Sequence, residues 1–393
     1  MTRPLRIAHL ADTHLGYRAL GRTDGDGRNQ RMVDVERAFE AAIDDLLRRE
    51  VDLVIHAGDA FHHTRPNWET VAHVIRQFRR IEAAQLACVV VAGNHDTPRL
   101  RTTGSVYGLL ADVLPQIRFV AGYDMEEVPF DELELVVQAI PHGALTNPDP
   151  PMPGFHPGKW NVLATHGLAP RVHVRGQHEP GEERLPAGLL DPDFDYIALG
   201  HFHEWGDQGR NAWYSGSAER IGWGDIAVTP GYNLATLTER GAAPHVEHVP
   251  VPARPMIRLD PVAGADRAAS EIVDEVLQRL DKATDRAAMV RAEVVGAARP
   301  ARREAETLLR QRADGRVWHL ELTSPGDAVF GSQATEGEGQ SDVRALFGLF
   351  VDGKVERREY DETFAGAFRE RGLRALDQGL IDARESGAEG DGA

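Results

Sequence analysis

Five short polar motifs in this 393-residue chain each follow an apolar, strand-like run. They are Asp12-Thr13-His14, Gly58-Asp59-Ala60-Phe61-His62, Gly93-Asn94-His95-Asp96, Thr165-His166-Gly167 and Gly200-His201-Phe202-His203. One such motif alone is more often a capping or solvated pair than a ligand set. Burying five sets of imidazoles and carboxylates without partners would, however, cost several kcal/mol for each group. A bound cation offsets this cost, so the sequence predicts a metal site.

The number and type of the candidate ligands indicate the chemistry. The candidates are Asp12, His14, Asp59, Asn94, His166, His201 and His203. Carboxylates and imidazoles without thiolates suit Mn²⁺, Fe²⁺ or Zn²⁺ in an open site. Seven ligands are too many for one ion and fit two ions bridged by a carboxylate. Because two ions about 3.5 to 4 Å apart activate water and neutralise both oxygens of a phosphoryl displacement, the predicted reaction is phosphoester hydrolysis.

A β-α-β-α-β series carries the first three motifs. Strand-like runs cover residues 7–10, 53–56 and 87–92, and helical patterns lie between them. The apolar face of the first helix is formed by Val35, Phe39, Ile43 and Leu47, and the second helix begins near Pro66-Asn67. This alternation predicts a largely parallel sheet covered by helices. Ligands bind beyond the carboxyl ends of strands in such sheets, so the five motifs should converge in space.

Strand patterns become denser after Arg118, and a second, mixed sheet packed on the first is expected. Predicted strands cover residues 118–121, 133–140, 161–164, 196–199, 212–214, 232–237 and 246–251, with surface loops at 147–157 and 177–192. A proline-rich segment, Val249 to Pro255, then marks a boundary. The predicted organisation is a metal-binding domain (1–252), a small α+β domain (253–326), a flexible linker (327–341), C-terminal helices (342–384) and a disordered tail (385–393).

The composition limits the classes of function. Forty-four basic and sixty-one acidic residues give a net charge of −17, which argues against a simple polyanion-binding protein. Any contact with DNA must therefore come from a local patch or from metal. The single cysteine, Cys88, lies in an apolar run and is interpreted as a core thiol. No apolar run approaches the ~20 residues that cross a bilayer, and the first residues lack a signal-peptide pattern, so a cytoplasmic protein is expected.

The ordered motifs resemble the signature of the calcineurin-like metallophosphoesterases, an α/β fold in which a β-sandwich is flanked by helices. Within that superfamily, the chain is similar to the nuclease subunits (SbcD) of SbcCD double-strand-break repair complexes. Residues 8–17 (AHLADTHLGY) and 58–62 (GDAFH) are similar to the first two motifs of these subunits. Residues 199–203 (LGHFH) and 214–220 (YSGSAER) are similar to the last. The small α+β domain lies where the family carries a DNA-capping domain.

The resemblance implies roles for the site residues. One ion would be held by Asp12, His14, Asp59 and His203, and the other by Asp59, Asn94, His166 and His201, with Mn²⁺ as the expected metal. His95 would face the phosphate as an acid or a transition-state stabiliser, oriented by Asp96, unless it only hydrogen-bonds a ligand. His62 would either support a ligand or contact the substrate. The histidines without a ligand-type neighbour at a strand end are interpreted as bystanders: His56, His63, His73, His142 and His173.

The resemblance also implies partners. These are DNA and an SMC-like ATPase of the SbcC type, and the ATPase would bind the C-terminal helices. The chain is also expected to form a homodimer and not to bind a membrane. Phe364, Phe368, Leu376 and Leu380 would form the docking face, unless this face packs back on the core. The basic residues Arg18, Arg22, Arg28 and Arg31 either meet phosphates or belong to a solvated loop.

Two other functions compete with a DNA nuclease. A phosphodiesterase for a small nucleotide or another diester would need the same metals, but neither a capping domain nor partner helices. A non-catalytic scaffold would be expected to have lost ligands, whereas all seven and His95 are present.

Overall fold

The structure is a computed structural model that describes residues 3–170, 183–190, 194–282, 285–325, 351, 355 and 363–372. The chain divides into two compact units, Met1–Gln333 and Ala334–Ala393. The predicted linker at 327–341, residues 342–350 of the predicted C-terminal helices, the tail at 385–393 and His173 lie outside the described residues. Among the helices described, none is both long and apolar enough to cross a membrane.

The first unit contains sixteen strands and six α-helices among its described residues. The strands are β1 (Leu5–Leu10), β2 (Leu53–Ala57), β3 (Ala87–Val91), β4 (Arg118–Val120), β5 (Glu126–Phe130), β6 (Leu135–Ile140), β7 (Trp160–His166), β8 (Tyr196–Gly200), β9 (Gly206–Gly209), β10 (Ala212–Tyr214), β11 (Gly231–Leu237), β12 (His245–Pro250), β13 (Met256–Arg258), β14 (Val262–Ala263), β15 (Met289–Val295) and β16 (His319–Thr323). The helices are α1 (Gln30–Arg48), α2 (Trp68–Ala83), α3 (Val106–Val113), α4 (His142–Leu145), α5 (Ala269–Leu280) and α6 (Arg299–Arg312).

Two six-stranded sheets pack face to face. The first has the order β12-β11-β1-β2-β3-β4 and is parallel from β1 to β4, as the β-α-β-α-β pattern predicts. The second has the order β5-β6-β7-β8-β10-β9 and is mixed, with antiparallel pairs at both edges. Successive residues of β2 point to opposite faces: Val54 packs under the helices and Ile55 packs between the sheets. The predicted second sheet packed on the first is therefore confirmed.

Asparagine caps fix the starts of the two long helices next to the site. The Asn29 side chain accepts hydrogen bonds from the backbone N–H groups of Arg31 and Met32 at the start of α1. The Asn67 side chain accepts one from Thr70 N–H at the start of α2, where the sequence predicts a helix to begin. The helices thus begin soon after the loops that carry the first two motifs.

The predicted strand over 133–140 begins two residues too early. Residues 131–133 form a short 3₁₀ helix, and Glu134, with a φ of 48°, turns the chain into β6. The preceding strand β5 was not predicted because its apolar and charged residues do not alternate and Pro129 interrupts it. Proline is tolerated there since β5 lies at the edge of the sheet.

Residues 256–323 form a small α+β unit with its own apolar core. Strands β13, β14 and β16 all pair with β15 in parallel, and α5 and α6 cover them. A buried ion network joins this unit to the part of the chain that forms the two packed sheets. Asp34 on α1 accepts hydrogen bonds from Arg31 at 2.7 Å and from Arg254 at 2.5 and 2.6 Å. The Arg254 guanidinium carbon lies 4.0 Å from the centre of the Trp318 ring.

We predict that Asp34→Ala lowers the free energy of unfolding by about 3 kcal/mol, because it leaves two poorly solvated guanidinium groups without their shared carboxylate. This value is at the low end of the range of about 3–5 kcal/mol for breaking a buried ion pair. The reason is that Arg31 still has a carboxylate partner, Glu219, at 3.6 Å. The control is Asp44→Ala, because Asp44 is 45% exposed where it pairs with Arg80, and it should cost less than about 1 kcal/mol. Chemical denaturation followed by circular dichroism measures both, and equal small effects would mean that the junction is solvated.

Candidate metal centre

The loops after β1 and β2 hold the first two motifs against each other. Asp12 N–H donates to the Gly58 carbonyl and His14 N–H to the Asp59 carbonyl, both at 3.0 Å. Asp12, His14 and Asp59 have φ values of 51°, 45° and 54°, and His201 has a φ of 99°. Residues other than glycine adopt this region at a cost of about 1–3 kcal/mol, and such strain clusters at functional sites. Four of the seven predicted ligands are held in this way.

Two glycines in the motifs allow side chains to approach the backbone. A Cβ atom on Gly58 would lie 2.2 Å from Nδ1 of His166, and the φ of Gly58 is +95°. A Cβ atom on Gly93 would lie 2.2 Å from Oδ1 of Asp59. Any larger residue at either position would therefore displace a candidate ligand.

One cluster of candidate ligands consists of Asp12, His14 and His203. One ligand atom from each lies within 4.8 Å of the other two. Nε2 of His14 and Nε2 of His203 are 3.1 Å apart. His201 N–H donates to both carboxylate oxygens of Asp12 at 3.0 Å, which fixes this carboxylate at the end of β1.

A second cluster consists of Asp59, His166 and His201, whose ligand atoms also lie within 4.8 Å of one another. The Asn94 side-chain oxygen is 3.0 Å from Nε2 of His166 and 3.1 Å from Nδ1 of His201. Oδ2 of Asp59 lies 3.3 Å from Nε2 of His166 and 3.8 Å from Nε2 of His14 in the first cluster. The structure thus brings all seven predicted residues together, and Asp59 faces both clusters.

The charged groups of the site shift one another's pKa values. Burial favours neutral groups, yet the Asp59 carboxylate raises the pKa of His166 to about 9, and Asp225 with Asp12 raises the pKa of His203 to about 9. Burial would raise the pKa of Asp59, but His166 and His14 hold it well below its usual range. The carboxylates therefore favour the protonated forms of His166 and His203. A divalent cation can replace those protons, which is the exchange expected of a metal-binding site.

His95 and His62 lie against the first cluster. The His95 ring is 4.8 Å from the His14 ring and stacks on the His62 ring at 5.2 Å. Nδ1 of His95 donates to the His62 carbonyl at 2.9 Å, and His95 N–H donates to Asp59 at 2.9 Å. Nδ1 of His62 is 3.3 Å from Nδ1 of His14, so His62 contacts a candidate ligand.

Asp96 does not orient His95, so this part of the expectation is wrong. The buried Asp96 carboxylate accepts hydrogen bonds from the N–H groups of Ala60, Phe61 and Gly93 and from the Tyr107 hydroxyl. These four donors saturate its oxygens inside the fold, and the His62 carbonyl takes the place beside His95 instead. Asp96 therefore ties the loop after β3 to the loop after β2.

The other histidines are explained by local contacts. His56 is buried and bonds to the Thr13 hydroxyl at 2.9 Å, His73 packs near Phe39, and His63 is exposed. His142 is buried at the start of α4, where burial and His166 lower its pKa to about 4. Sequence reasoning missed Asp225, which accepts a hydrogen bond from Nδ1 of His203 at 3.0 Å. No motif marks it, because it follows His203 by 22 residues and lies in a short 3₁₀ helix.

The chain is similar to several proteins that share one name. A "DNA double-strand break repair protein Mre11" from Sulfurisphaera tokodaii is 29% identical over 203 residues, which cover 50% of this chain and 49% of that protein. A protein of the same name from Thermoplasma acidophilum is 30% identical over 54% of this chain and 55% of that protein. Another from Haloferax volcanii is 26% identical over 70% of this chain and 58% of that protein. The chain thus spans about half the length of the curated relatives it matches.

The family comparison agrees with the sandwich fold and the site. Residues 5–205, just over half of the chain, match the calcineurin-like phosphoesterase family. That range contains all five motifs and every predicted site residue. The predicted resemblance and fold class are confirmed, and the chain belongs to the calcineurin-like phosphoesterase family.

Proposed function

We propose that this chain is a two-metal nuclease that hydrolyses phosphodiester bonds of DNA in double-strand-break repair. The observation that carries the proposal is the position of Asp59, a 2% exposed carboxylate that faces both ligand clusters. One ion is assigned to Asp12, His14, Asp59 and His203. The other is assigned to Asp59, Asn94, His166 and His201. Mn²⁺ is the proposed metal because carboxylate, imidazole and amide ligands without thiolates suit it.

His95 and His62 have different roles in the proposed hydrolysis. A bound pair of divalent ions supplies a hydroxide at neutral pH and neutralises the phosphate oxygens. Nδ1 of His95 donates to the His62 carbonyl, so Nε2 is the nitrogen that can exchange a proton with substrate. Among the described residues, no hydrogen bond engages this nitrogen. We therefore assign to His95 the role of proton donor or stabiliser at the phosphate, and to His62 the role of holding it in place.

A basic helix supports DNA as the substrate despite the net charge of −17. Helix α6 carries five arginines and two glutamates. Arg299, Arg303 and Arg310 are exposed, whereas Ala305 and Leu309 pack into the core of the small unit. Such a helix can contact phosphates in a sequence-independent way. The names of the relatives point to the same class of substrate. A phosphodiesterase for small diesters would not need this surface, and it remains the second candidate because the chain is acidic overall.

Two single variants test the metal assignment. We predict that Asp59→Ala removes both ions and abolishes hydrolysis, because the shared carboxylate is lost. His95→Ala should keep both ions and lower kcat by about 10²- to 10⁴-fold, because His95 acts on the phosphate. Bound Mn²⁺ is measured by elemental analysis of the purified variants, and turnover on end-labelled duplex DNA and on a small phosphodiester.

Two results would contradict these roles. Retention of two ions by Asp59→Ala would mean that Asp59 does not bridge them. Loss of both ions from His95→Ala would place His95 among the ligands. Asp195→Asn is the matched control for a buried carboxylate, since Asp195 accepts hydrogen bonds from Asn161 and Gly241 at the opposite end of β7 and β8. It should retain both ions and normal turnover.

The role of helix α6 is tested by charge reversal. We predict that Arg299→Glu with Arg303→Glu and Arg310→Glu weakens duplex binding and leaves small-diester hydrolysis unchanged. Each lost phosphate contact should reduce the slope of log K against log salt by about 0.9. The control variant, Arg48→Glu with Arg76→Glu and Arg79→Glu, changes the net charge equally on α1 and α2. An equal effect of both triple variants would show that net charge alone is responsible, and no effect of either would favour the small-diester function.

We further propose that the C-terminal segment docks on an SMC-like ATPase partner. Residues 363–372 are helical, and Phe364 is 50% exposed. The Phe364 and Phe368 rings stack with centroids 5.8 Å apart on one face of this helix, as their spacing predicts. Leu376 and Leu380, which complete the predicted face, lie outside the described residues. A helix with such a face is suited to a groove or a coiled coil on another chain.

We predict that Phe364→Asp with Phe368→Asp abolishes co-purification with an SbcC-type ATPase and leaves Mn²⁺-dependent hydrolysis by the isolated chain unchanged. Met152→Asp with Phe155→Asp is the control, because these side chains are 53% and 54% exposed in a loop of the first unit. Loss of intrinsic activity in the phenylalanine variant would show that the helix belongs to the core. Continued co-purification would place the partner contact elsewhere.

A further inference from the structure

The two ring nitrogens of His203 have different partners. Nε2 faces the first ligand cluster, 3.1 Å from Nε2 of His14. Nδ1 donates to Oδ2 of Asp225 at 3.0 Å. His166, in the second cluster, is held instead by a neutral group, because its Nδ1 donates to the Ala57 carbonyl at 2.8 Å. Among the described contacts of these two rings, only His203 is oriented by a carboxylate from outside the cluster.

Asp225 is itself held by the turn in which it lies. Its Oδ2 accepts hydrogen bonds from Ile221 N–H at 2.8 Å and from Gly222 N–H at 3.3 Å. Residues Trp223–Ala227 form a short 3₁₀ helix, closed by a hydrogen bond from Asp225 N–H to the Gly222 carbonyl at 3.0 Å. The position of the carboxylate therefore depends on the position of the whole turn.

The small α+β unit contacts the same turn. Arg291 on β15 places its guanidinium carbon 4.3 Å from the centre of the Trp223 ring, a cation–π geometry. Arg291 also pairs with Glu321 at 3.0 Å, its direct neighbour across the β15–β16 ladder. Strand β13 lies against the 3₁₀ helix as well. The first residue of the turn is thus packed against the small unit, and its third residue bonds to His203.

We infer that Asp225 is a positioning residue for His203, and that the small unit holds it in place through Arg291 and Trp223. The inference rests on the proposed function, since it takes His203 to be a metal ligand. Binding of one of the two ions then depends on contacts made by the small unit.

The physical reason is the rotation and tautomerism of an imidazole. A carboxylate on Nδ1 keeps the hydrogen on that nitrogen, leaves Nε2 as the ligand atom and fixes the plane of the ring. Without the carboxylate, the ring must lose rotational freedom and select one tautomer when the ion binds. Removing an outer partner of this kind typically costs about 10- to 100-fold in metal affinity. Displacing the turn should also lower the metal affinity, but by a smaller factor, because the Asp225 carboxylate remains present.

The test is titration of the full chain with Mn²⁺ by calorimetry, with bound metal counted by elemental analysis. Wild type should bind two ions. Asp225→Asn should weaken one binding event by about 10- to 100-fold and leave the other unchanged. Arg291→Ala and Trp223→Ala should weaken the same binding event to a lesser degree. Trp223→Phe keeps an aromatic face for Arg291, so its affinity for this ion should be close to that of wild type. Asp195→Asn and Arg240→Ala are the controls, the latter because Arg240 lies over Trp160 in a similar contact.

The outcomes separate this inference from the proposed function. If wild type binds two ions and Asp225→Asn binds both as tightly, the inference is wrong and the metal assignment stands. If wild type binds fewer than two ions, the proposed function fails and the inference fails with it. If Asp225→Asn does not fold, metal binding by Arg291→Ala is the test instead. This variant is expected to fold because the Arg291 side chain is 24% exposed. Unchanged binding of both ions by that variant overturns the role of the small unit.

Discussion

The burial of one carboxylate, Asp59, constrains the rest of the site. Its oxygens receive a hydrogen bond from His95 N–H and lie beside Nε2 of His166 and Nε2 of His14. An ionised carboxylate is stable in such a place only if positive charge surrounds it. Asp59 in turn raises the pKa of His166 to about 9, so a proton on His166 supplies part of that charge, and two cations would supply more. The strained backbone at Asp59 and the missing side chain at Gly93 both allow this approach.

The seven candidate ligands could be predicted from sequence because each lies where a strand ends or shortly after it. The parallel connections that carry Asp12, Asp59 and Asn94 place those ends at one edge of the first sheet, and β7 and β8 deliver His166 and His201 from the second. The orientation of His95 could not be predicted in the same way. A neighbour in sequence, Asp96, was the obvious partner, but its side chain points into the fold, where Ala60, Phe61, Gly93 and Tyr107 bind it. Side chains of adjacent residues commonly point in different directions. The predicted contact between Asp96 and His95 was therefore wrong although the two residues are neighbours in sequence.

The acidic composition is less of an obstacle to the proposed binding of DNA than the net charge suggests. Several carboxylates are engaged within the fold: Asp34 is shared by two arginines, and Asp96 and Asp195 bind backbone N–H groups. In the proposed metal centre, Asp12 and Asp59 would be neutralised by the ions. Arg299, Arg303 and Arg310 of α6, by contrast, are exposed. The local field, and not the sum of charges, determines which surface attracts phosphates.

The segment from Ser217 to Asp225 links His203 of the candidate metal centre to the junction with the small unit. Ser217 N–H donates to the His203 carbonyl at 3.0 Å, and the Glu219 carboxylate accepts a hydrogen bond from Arg254 N–H at 2.9 Å. Asp225 then returns to the His203 ring. The chain thus contacts His203 at both ends of the segment and the small unit between them. A displacement of the small unit would have to break the contacts of Arg254 or Arg291, or else move the segment with it. Because His203 is bonded at both ends of that segment, its ring would then move relative to Asp12 and His14. The stability of the junction and the geometry of the first ligand cluster are therefore two consequences of the same set of contacts.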